Sequence, residues 1–180
     1  MKKLMIAFAA VAMAACAQAA TIEWSLSWAV DSKGIDLADS TPAYLVAVSA
    51  YSVEQATADL KAGNFNTSKA EISTGLAWSE DFGASVGVQG SSALEGTQSF
   101  YAVLINSELN EFLISDTFND ITMKPTGSTV VAMGDFSTYD EGTGLSTSNY
   151  DWQAVAVPEP TSGLLLLLGV AGLALRRRRA

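Results

Sequence analysis

The sequence contains no histidine and only one cysteine, Cys16, among its 180 residues. Histidine is the commonest general base near neutral pH and the commonest protein ligand of transition metals. A single cysteine also cannot form a disulfide within the chain. These absences exclude Ser-His-Asp catalysis, zinc fingers and a disulfide-stabilised fold, and we predict no cofactor.

Arginine is absent from residues 21–160, and that stretch holds only four lysines. All nineteen acidic residues fall between Glu23 and Glu159, so the same stretch carries a net charge of −15. A body of this charge repels the phosphate backbone, which excludes nucleic acid as a partner. With 49% apolar and 16% charged residues, the chain can still bury a core, and its length fits about one domain.

Residues 1–20 have the pattern of a secretory signal peptide. Lys2 and Lys3 precede an apolar run over residues 4–15. A short positive segment followed by an apolar run of this length is typical of signal peptides. A buried helix is the competing interpretation, and the strand-like pattern that begins directly afterwards disfavours it. The sequence therefore predicts export from the cytoplasm.

Small residues at alternate positions predict where a signal peptidase cuts. Ala17 and Ala19 form the small-x-small pattern that the enzyme accepts, and Ala20 follows them. Cleavage after Ala19 or Ala20 would start the mature chain near Thr21. A second route stays open, because the residues before Cys16 approximate a lipobox, in which that cysteine would carry a lipid.

Residues 157–180 combine three elements in a fixed order. The first is an extended segment, kept out of the helical conformation by two prolines; it consists of Val157, Pro158, Glu159, Pro160 and Thr161. The second is an uncharged stretch from Gly163 to Leu175. The third is a cluster of four arginines, Arg176, Arg177, Arg178 and Arg179.

The uncharged stretch predicts a short transmembrane helix. From Thr161 to Leu175 there are fifteen residues, which give about 22 Å of helix against roughly 30 Å of hydrocarbon. The arginine side chains can extend towards the headgroups and make up part of the difference. Because arginines stay on the cytoplasmic side, we expect everything before Pro158 to lie across the membrane.

Together these elements closely resemble the PEP-CTERM sorting signal of Gram-negative bacteria, which also ends some bacterial ice-binding proteins. The resemblance implies that an exosortase, a membrane-embedded cysteine transpeptidase-like enzyme, cuts near the Pro-Glu-Pro and releases or attaches the body at the cell surface. It implies membrane lipid, exosortase and exopolysaccharide as partners, besides signal peptidase. Ice binding is not carried over, because Thr126 to Thr129 is too short for a threonine ladder.

Residues 21–156 predict an all-β fold, a small antiparallel sandwich of the immunoglobulin or fibronectin-III type with one short helix. Apolar residues alternate from Ile22 to Val30, which places Trp24 and Trp28 on one face of a first strand. Ala43 to Tyr51 is nearly continuous in apolar character and predicts a central strand covered on both faces.

Helical spacing replaces this pattern after Ser52, which begins a capping box, and Gly63 supplies a stop, so we predict a helix over Val53 to Ala62.

Further strands are predicted at Ile72–Trp78, Ala84–Gln89, Gln98–Asn106, Glu111–Asp116, Ser128–Met133 and Tyr150–Val157. Seven or eight short strands favour a sandwich. A hairpin joining residues 100–105 to 112–114 weakly resembles the late hairpin of fibronectin type III domains. Residues 135–149 predict a long loop or a poorly ordered hairpin.

The body shows no pairing of nucleophile and base, and we predict that it is not an enzyme. A glycosidase would need two carboxylates across a cleft, and the adjacent pairs Glu80-Asp81 and Asp140-Glu141 are more simply interpreted as solvated surface. The loop Asp135–Gly142 offers oxygen ligands for calcium. It lacks the alternating acidic register of a calcium loop, so no metal site is predicted.

Tryptophan supports an alternative function, because flat indole faces with wet edges can stack on sugar rings. Strand alternation favours core packing for Trp24 and Trp28, and less strongly for Trp78. A carbohydrate- or calcium-binding module predicts instead that Trp78 or Trp152 is exposed beside carboxylates in a groove.

The leading hypothesis is a non-enzymatic surface or matrix protein of structural or adhesive type. We expect it to be exported across the inner membrane, anchored transiently by its C-terminal helix, and then sorted to the cell surface or extracellular matrix.

Overall fold

The computed structural model of the protein describes residues 20–156. Several predicted features lie outside this range: the cleavage residues Ala17 and Ala19, Cys16, the segment Val157–Thr161, the stretch Gly163–Leu175 and the arginines Arg176–Arg179. The regular structure of the described residues is mostly β, with twelve strands, one α-helix and one 3-10 turn. None of its helices is long and apolar enough to cross a membrane.

Twelve short strands replace the seven or eight that were predicted. They are β1 Ala20–Ser27, β2 Pro42–Ala47, β3 Ile72–Gly75, β4 Ala77–Ser79, β5 Gly83–Ser91, β6 Thr97–Asn106, β7 Glu111–Ile114, β8 Phe118–Thr122, β9 Gly127–Asp135, β10 Ser137–Asp140, β11 Leu145–Ser148 and β12 Trp152–Ala154. The helix, α1, spans Val53–Lys61, and the 3-10 turn spans Thr67–Lys69.

The strands form two main sheets and a separate hairpin. One sheet has the order β4-β5-β1-β9, and the other has the order β12-β7-β6-β2-β3, with β8 also paired to β6. Strands β10 and β11 pair only with each other among the described strands. The all-β prediction is thereby confirmed. One pair departs from the antiparallel pattern, because β1 runs parallel to β9 from Ala20 opposite Gly127.

A shared core joins the two main sheets. Ile22, Trp24 and Leu26 of β1 are buried in the same cluster as Leu45 of β2 and Leu104 of β6. These three residues of β1 alternate with more exposed ones, as a strand with one face on the core requires. The predicted alternation is therefore confirmed over this part of the strand.

The other face of the larger sheet is covered by α1. Ala56 and Leu60 of the helix are buried with Val46 of β2 and Tyr101 of β6. Strand β2 is therefore covered on both faces, as predicted for the central strand over Ala43–Tyr51. Ser52 caps the helix, since the Gln55 N–H donates to its Oγ at 3.3 Å. The predicted helix is confirmed, and its C-cap is Ala62.

The prediction that Trp28 shares a buried face with Trp24 is wrong. Strand β1 ends at Ser27, and Trp28 takes a left-handed conformation with φ of 53°. Its backbone N–H donates to the Phe82 carbonyl at 2.9 Å and the Ala29 N–H donates to the Ala84 carbonyl at 3.0 Å, so the backbone stays beside β5 while the left-handed conformation breaks the alternation of side chains. As a result the Trp28 side chain is 40% exposed, whereas Trp24 is 1% exposed.

Three other differences separate the observed strands from the predicted ones. Strand β2 stops at Ala47 rather than Tyr51, because the Ala47 carbonyl accepts the N–H of Tyr51 in a turn. The predicted strand Ile72–Trp78 is divided at Leu76 into β3 and β4, which belong to different sheets. Strand β8 was not predicted.

One predicted hairpin is confirmed, and residues 135–149, predicted as a long loop or a poorly ordered hairpin, form a regularly paired hairpin. Strands β6 and β7 pair in antiparallel register up to Asn106 opposite Glu111. Within residues 135–149, β10 and β11 pair from Ser137 opposite Ser148 to Asp140 opposite Leu145.

The end of the described chain is tied to the domain. The Val155 N–H donates to the Asn110 carbonyl at 2.9 Å, and the Ala156 N–H donates to the Lys61 carbonyl at 2.7 Å. The last described residues therefore lie against the β6–β7 turn and the C-terminal end of α1.

Candidate functional site

An exposed groove lies where β1 ends and the β10–β11 hairpin begins. It has a volume of about 440 Å³ and is lined by Trp28, Asp135, Ser137, Tyr139 and Ser146, and we call it the Trp28 groove. Two aromatic rings, a carboxylate and two hydroxyl groups thus meet in one depression. Its volume is within the usual range for small-ligand sites.

The Trp28 indole is positioned by the backbone of its neighbour in space, Gly83. A Cβ on Gly83 would lie 2.7 Å from Trp28 Cε3, so only glycine allows this approach. The N–H of Trp28 is bonded to the carbonyl of Phe82, the residue before that glycine. The indole is therefore supported by β5 while 40% of the side chain stays in contact with solvent.

The carboxylate of the groove is also held in place. The Ser27 hydroxyl donates to Asp135 Oδ1 at 2.6 Å, which links the end of β1 to the end of β9. One residue further on, the Phe136 N–H donates to the Ser27 carbonyl at 2.8 Å. The groove therefore lies at the ends of β1 and β9, the two strands that pair in parallel.

The β10–β11 hairpin supplies the other side of the groove. Tyr139 is 61% exposed and stands opposite Ser146 in the hairpin register. The hairpin packs closely on the segment after β1, because a Cβ on Gly34 would lie 2.1 Å from the Ser146 carbonyl oxygen. Gly34 therefore permits the close approach that holds the hairpin beside Trp28.

We expect Gly34→Ala to lower the free energy of unfolding by more than the cost of placing alanine at the left-handed φ of this position. Its φ of +78° costs alanine about 1–2 kcal/mol, and the overlap with the Ser146 backbone adds to this loss. Equilibrium urea unfolding measures the difference. Gly96→Ala is the matched control, since Gly96 has φ of +69° and nothing within 4 Å of an added Cβ. Equal losses in the two variants would contradict the packing described here.

A second cavity, of about 390 Å³, lies between residues 31–42 and the β6–β7 turn. It is lined by Asp31, Asp36, Asp39 and Glu108 among others, with Lys33 as its one basic lining residue. The Asp31 carboxylate is already bonded to the backbone, accepting the Lys33 N–H at 2.8 Å and the Ile35 N–H at 2.9 Å. One of the acidic residues that line this cavity, Asp31, therefore already uses its carboxylate to stabilise the backbone of residues 31–35.

Trp78 and Trp152 differ in exposure. Trp78 is 52% exposed; its N–H donates to Asp39 Oδ1 at 2.7 Å, and its Nε1 lies 3.5 Å from Asp36 Oδ2. Trp152 is partly buried, and its Nε1–H donates to the Val30 carbonyl at 3.0 Å. Of the two tryptophans singled out for a carbohydrate module, Trp78 is the one exposed beside carboxylates, but it lines neither the Trp28 groove nor the acidic cavity, so the expected condition is met only in part.

The two adjacent acidic pairs lie in exposed turns. Glu80-Asp81 is in the turn between β4 and β5, and Asp140-Glu141 is in the β10–β11 turn; neither pair lines the two cavities. Hydrogen bonds from the Gly142 N–H and the Thr143 hydroxyl lower the pKa of Asp140. Its two oxygens thus stabilise the turn. Residues 20–156 contain no group of three or more acidic, histidine or cysteine side chains arranged to hold a metal ion.

Sequence reasoning missed the Trp28 groove because alternation continues without a break to Val30. No local signal marks the end of β1 after Ser27. The exposed Tyr139 is the one part of the groove with a sequence signal, since it lies among the polar and glycine residues of 135–149.

Comparison with known proteins bears on the C-terminal segment. Neither the curated proteins nor the solved structures include a significant match to this chain. One family model matches, that of the PEP-CTERM protein-sorting motif, over residues 156–179. This range contains the predicted extended segment, apolar stretch and arginine cluster. The chain therefore carries a PEP-CTERM protein-sorting motif, which marks it as an exported protein that an exosortase sorts towards the cell surface.

Proposed function

We propose that this protein is a non-enzymatic component of the cell surface or extracellular matrix, structural or adhesive in type. The observation that carries the proposal is the sorting motif at residues 156–179, directly after a folded acidic domain. The same proposal includes a transient anchor at Gly163–Leu175, retained by the arginines Arg176–Arg179, and cutting near Pro158-Glu159-Pro160. Membrane lipid, signal peptidase and exosortase are its partners in this process.

The start of β1 supports signal-peptide cleavage after Ala19 rather than after Ala20. Ala20 pairs with Gly127, and its carbonyl accepts the Ser92 N–H at 3.1 Å. Cleavage after Ala19 keeps these contacts of the first strand, whereas cleavage one residue later removes them. We therefore propose Ala20 as the first residue of the mature protein.

We further propose that the body is a β-sandwich related to the immunoglobulin or fibronectin-III type. Two sheets with one core between them and the β6–β7 hairpin support this relation. The parallel pairing of β1 with β9 is a departure from the purely antiparallel sheets of that class.

Mass spectrometry of the exported protein tests the proposed processing. We expect a species that begins at Ala20 and has lost the arginine cluster, because both ends serve as sorting signals. A cytoplasmic precursor with both ends intact is the control. Recovery outside the cell of a protein that still ends in Arg176–Ala180 would contradict the proposal.

A second candidate function is that of a carbohydrate- or calcium-binding surface module. It is favoured by the exposure of Trp78 beside Asp36 and Asp39, and by the two aromatic side chains of the Trp28 groove. The carbohydrate form has more support than the calcium form, because both carboxylate oxygens of Asp140 already accept hydrogen bonds within the turn. Exopolysaccharide is then a partner in the surface matrix.

A further inference from the structure

We propose that the Trp28 groove binds a neutral polysaccharide, with a sugar ring stacked on the Trp28 indole. This inference rests on the proposed function as a surface protein and assigns a ligand class and a site to it. The groove contributes aromatic surface from Trp28 and Tyr139 and hydrogen-bonding groups from Asp135, Ser137 and Ser146.

The aromatic surface is the first argument for a sugar ligand. Trp28 is 40% exposed, Phe82 is 59% exposed and Tyr139 is 61% exposed. Indole and phenol rings bury large areas when they are covered, and their polar edges tolerate water. A pyranose ring has an apolar C–H face that packs on an aromatic ring and hydroxyl groups at its rim. The mixture of rings, carboxylate and serine hydroxyls in the groove matches both parts of such a ligand.

Preorganisation is the second argument. The Trp28 indole is held against Gly83, the backbone N–H of Trp28 donates to the Phe82 carbonyl, and the Asp135 carboxylate accepts the Ser27 hydroxyl. Groups that are already fixed lose little conformational entropy when a ligand binds. The left-handed backbone of Trp28 also carries strain of the kind that concentrates at functional sites.

The neighbouring surface favours a polymer over a single sugar. A further depression beside the groove, distinct from the acidic cavity, has a volume of about 320 Å³ and is lined by Ser27, Phe82 and Gly134 among others. Ser27 precedes Trp28 in the chain, and Gly134 precedes Asp135, so this depression adjoins the groove at two points. An extended chain of sugar units can cover both depressions, whereas one sugar can fill only one.

Charge selects a neutral polymer over an acidic one. Residues 20–156 contain eighteen carboxylates and four lysines, and carry a net charge of −14. Asp135 is the charged side chain in the lining of the groove. An anionic polysaccharide such as alginate would be repelled by this surface, most strongly at low salt where screening is weak.

Affinity electrophoresis of the exported, processed protein tests the proposal. The gels contain mixed-linkage β-glucan, xyloglucan, galactomannan or alginate. We expect at least one of the three neutral polymers to slow migration and alginate to have no effect. Trp28→Ala and Tyr139→Ala should each weaken the interaction at least about tenfold, because each removes aromatic stacking area.

Val130→Ala is the matched control, since it shortens a side chain that is 56% exposed and lies outside the groove, and it should change the affinity less than twofold. Trp78→Ala tests the competing site beside Asp36 and Asp39. Circular dichroism checks that each variant is folded; if Trp28→Ala is not, Tyr139→Ala and Asp135→Asn decide the question. Absence of retardation in all three neutral polymers would overturn the proposal, as would loss of binding in Trp78→Ala but not in the groove variants. A processed protein that fails to bind refutes only the groove, whereas an exported protein with an intact C-terminus refutes the proposed sorting.

Discussion

Trp24→Ala is expected to destabilise the protein by about 3–5 kcal/mol, the usual cost of removing a buried tryptophan from a core. Trp24 is 1% exposed and lies on β1 between β5 and β9. The cavity left by its indole would be bounded by both main sheets, which cannot close it without shifting their strands. Urea unfolding followed by circular dichroism measures the loss. The whole stability of a domain of this size is of order 5–15 kcal/mol, so the variant would be close to unfolding.

Trp24→Phe separates packing from hydrogen bonding at the same position. Trp24 Nε1 is buried and has no hydrogen-bond partner among residues 20–156. Phenylalanine removes this unsatisfied donor while filling most of the space, and a buried unsatisfied group costs about 1–3 kcal/mol. We therefore expect Trp24→Phe to lose less than half of what Trp24→Ala loses. Equal losses in the two variants would show that the indole is not stabilising the core by its volume.

Replacement of Pro158, Glu159 and Pro160 by alanine is expected to abolish processing of the C-terminus. Without the prolines this segment could continue the helix that we propose for the apolar stretch, which would remove the extended substrate that an exosortase would need. The variant should accumulate in the membrane fraction with its arginine cluster still attached. Immunoblotting of fractionated cells, with mass spectrometry of the retained form, provides the measurement.

A matched control for the tail variant replaces one proline and one glutamate elsewhere, Pro125→Ala with Glu141→Ala. Both residues lie in exposed turns of the described domain. This variant should be processed like the natural protein, because its sorting segment is unchanged. Normal processing of the triple-alanine variant would contradict the role assigned to the Pro-Glu-Pro.

The features that could be predicted from the sequence are those with local causes. Helix α1 was predicted within one residue because Ser52 and Gly63 mark its two ends. The buried positions of β1 follow from alternation, and the β6–β7 hairpin follows from two apolar runs joined by a polar turn. The sorting motif was recognised because its three elements occur in order within one short segment.

The features that were missed depend on contacts between distant parts of the chain. Trp28 leaves the strand because of its bond to Phe82 and its approach to Gly83, more than fifty residues away. The parallel pairing of β1 with β9 joins residues more than a hundred positions apart. Alternation cannot reveal which strand will be the neighbour, and it cannot show that a tryptophan in register with the core will turn out into solvent.

The hydrogen bonds at the end of the domain also limit how far the domain can lie from the Pro-Glu-Pro. The Ala156 N–H is bonded to the Lys61 carbonyl, and the matched sorting motif begins at the same residue. The Cα atoms of Ala156 and Pro158 are two residue steps apart and can be separated by at most about 7 Å. The Pro-Glu-Pro therefore begins within that distance of the last residue bonded to the domain. Any acceptor joined near Pro158 would therefore sit against the C-terminal end of α1, and the domain would be displayed in a restricted orientation instead of swinging on a long tether.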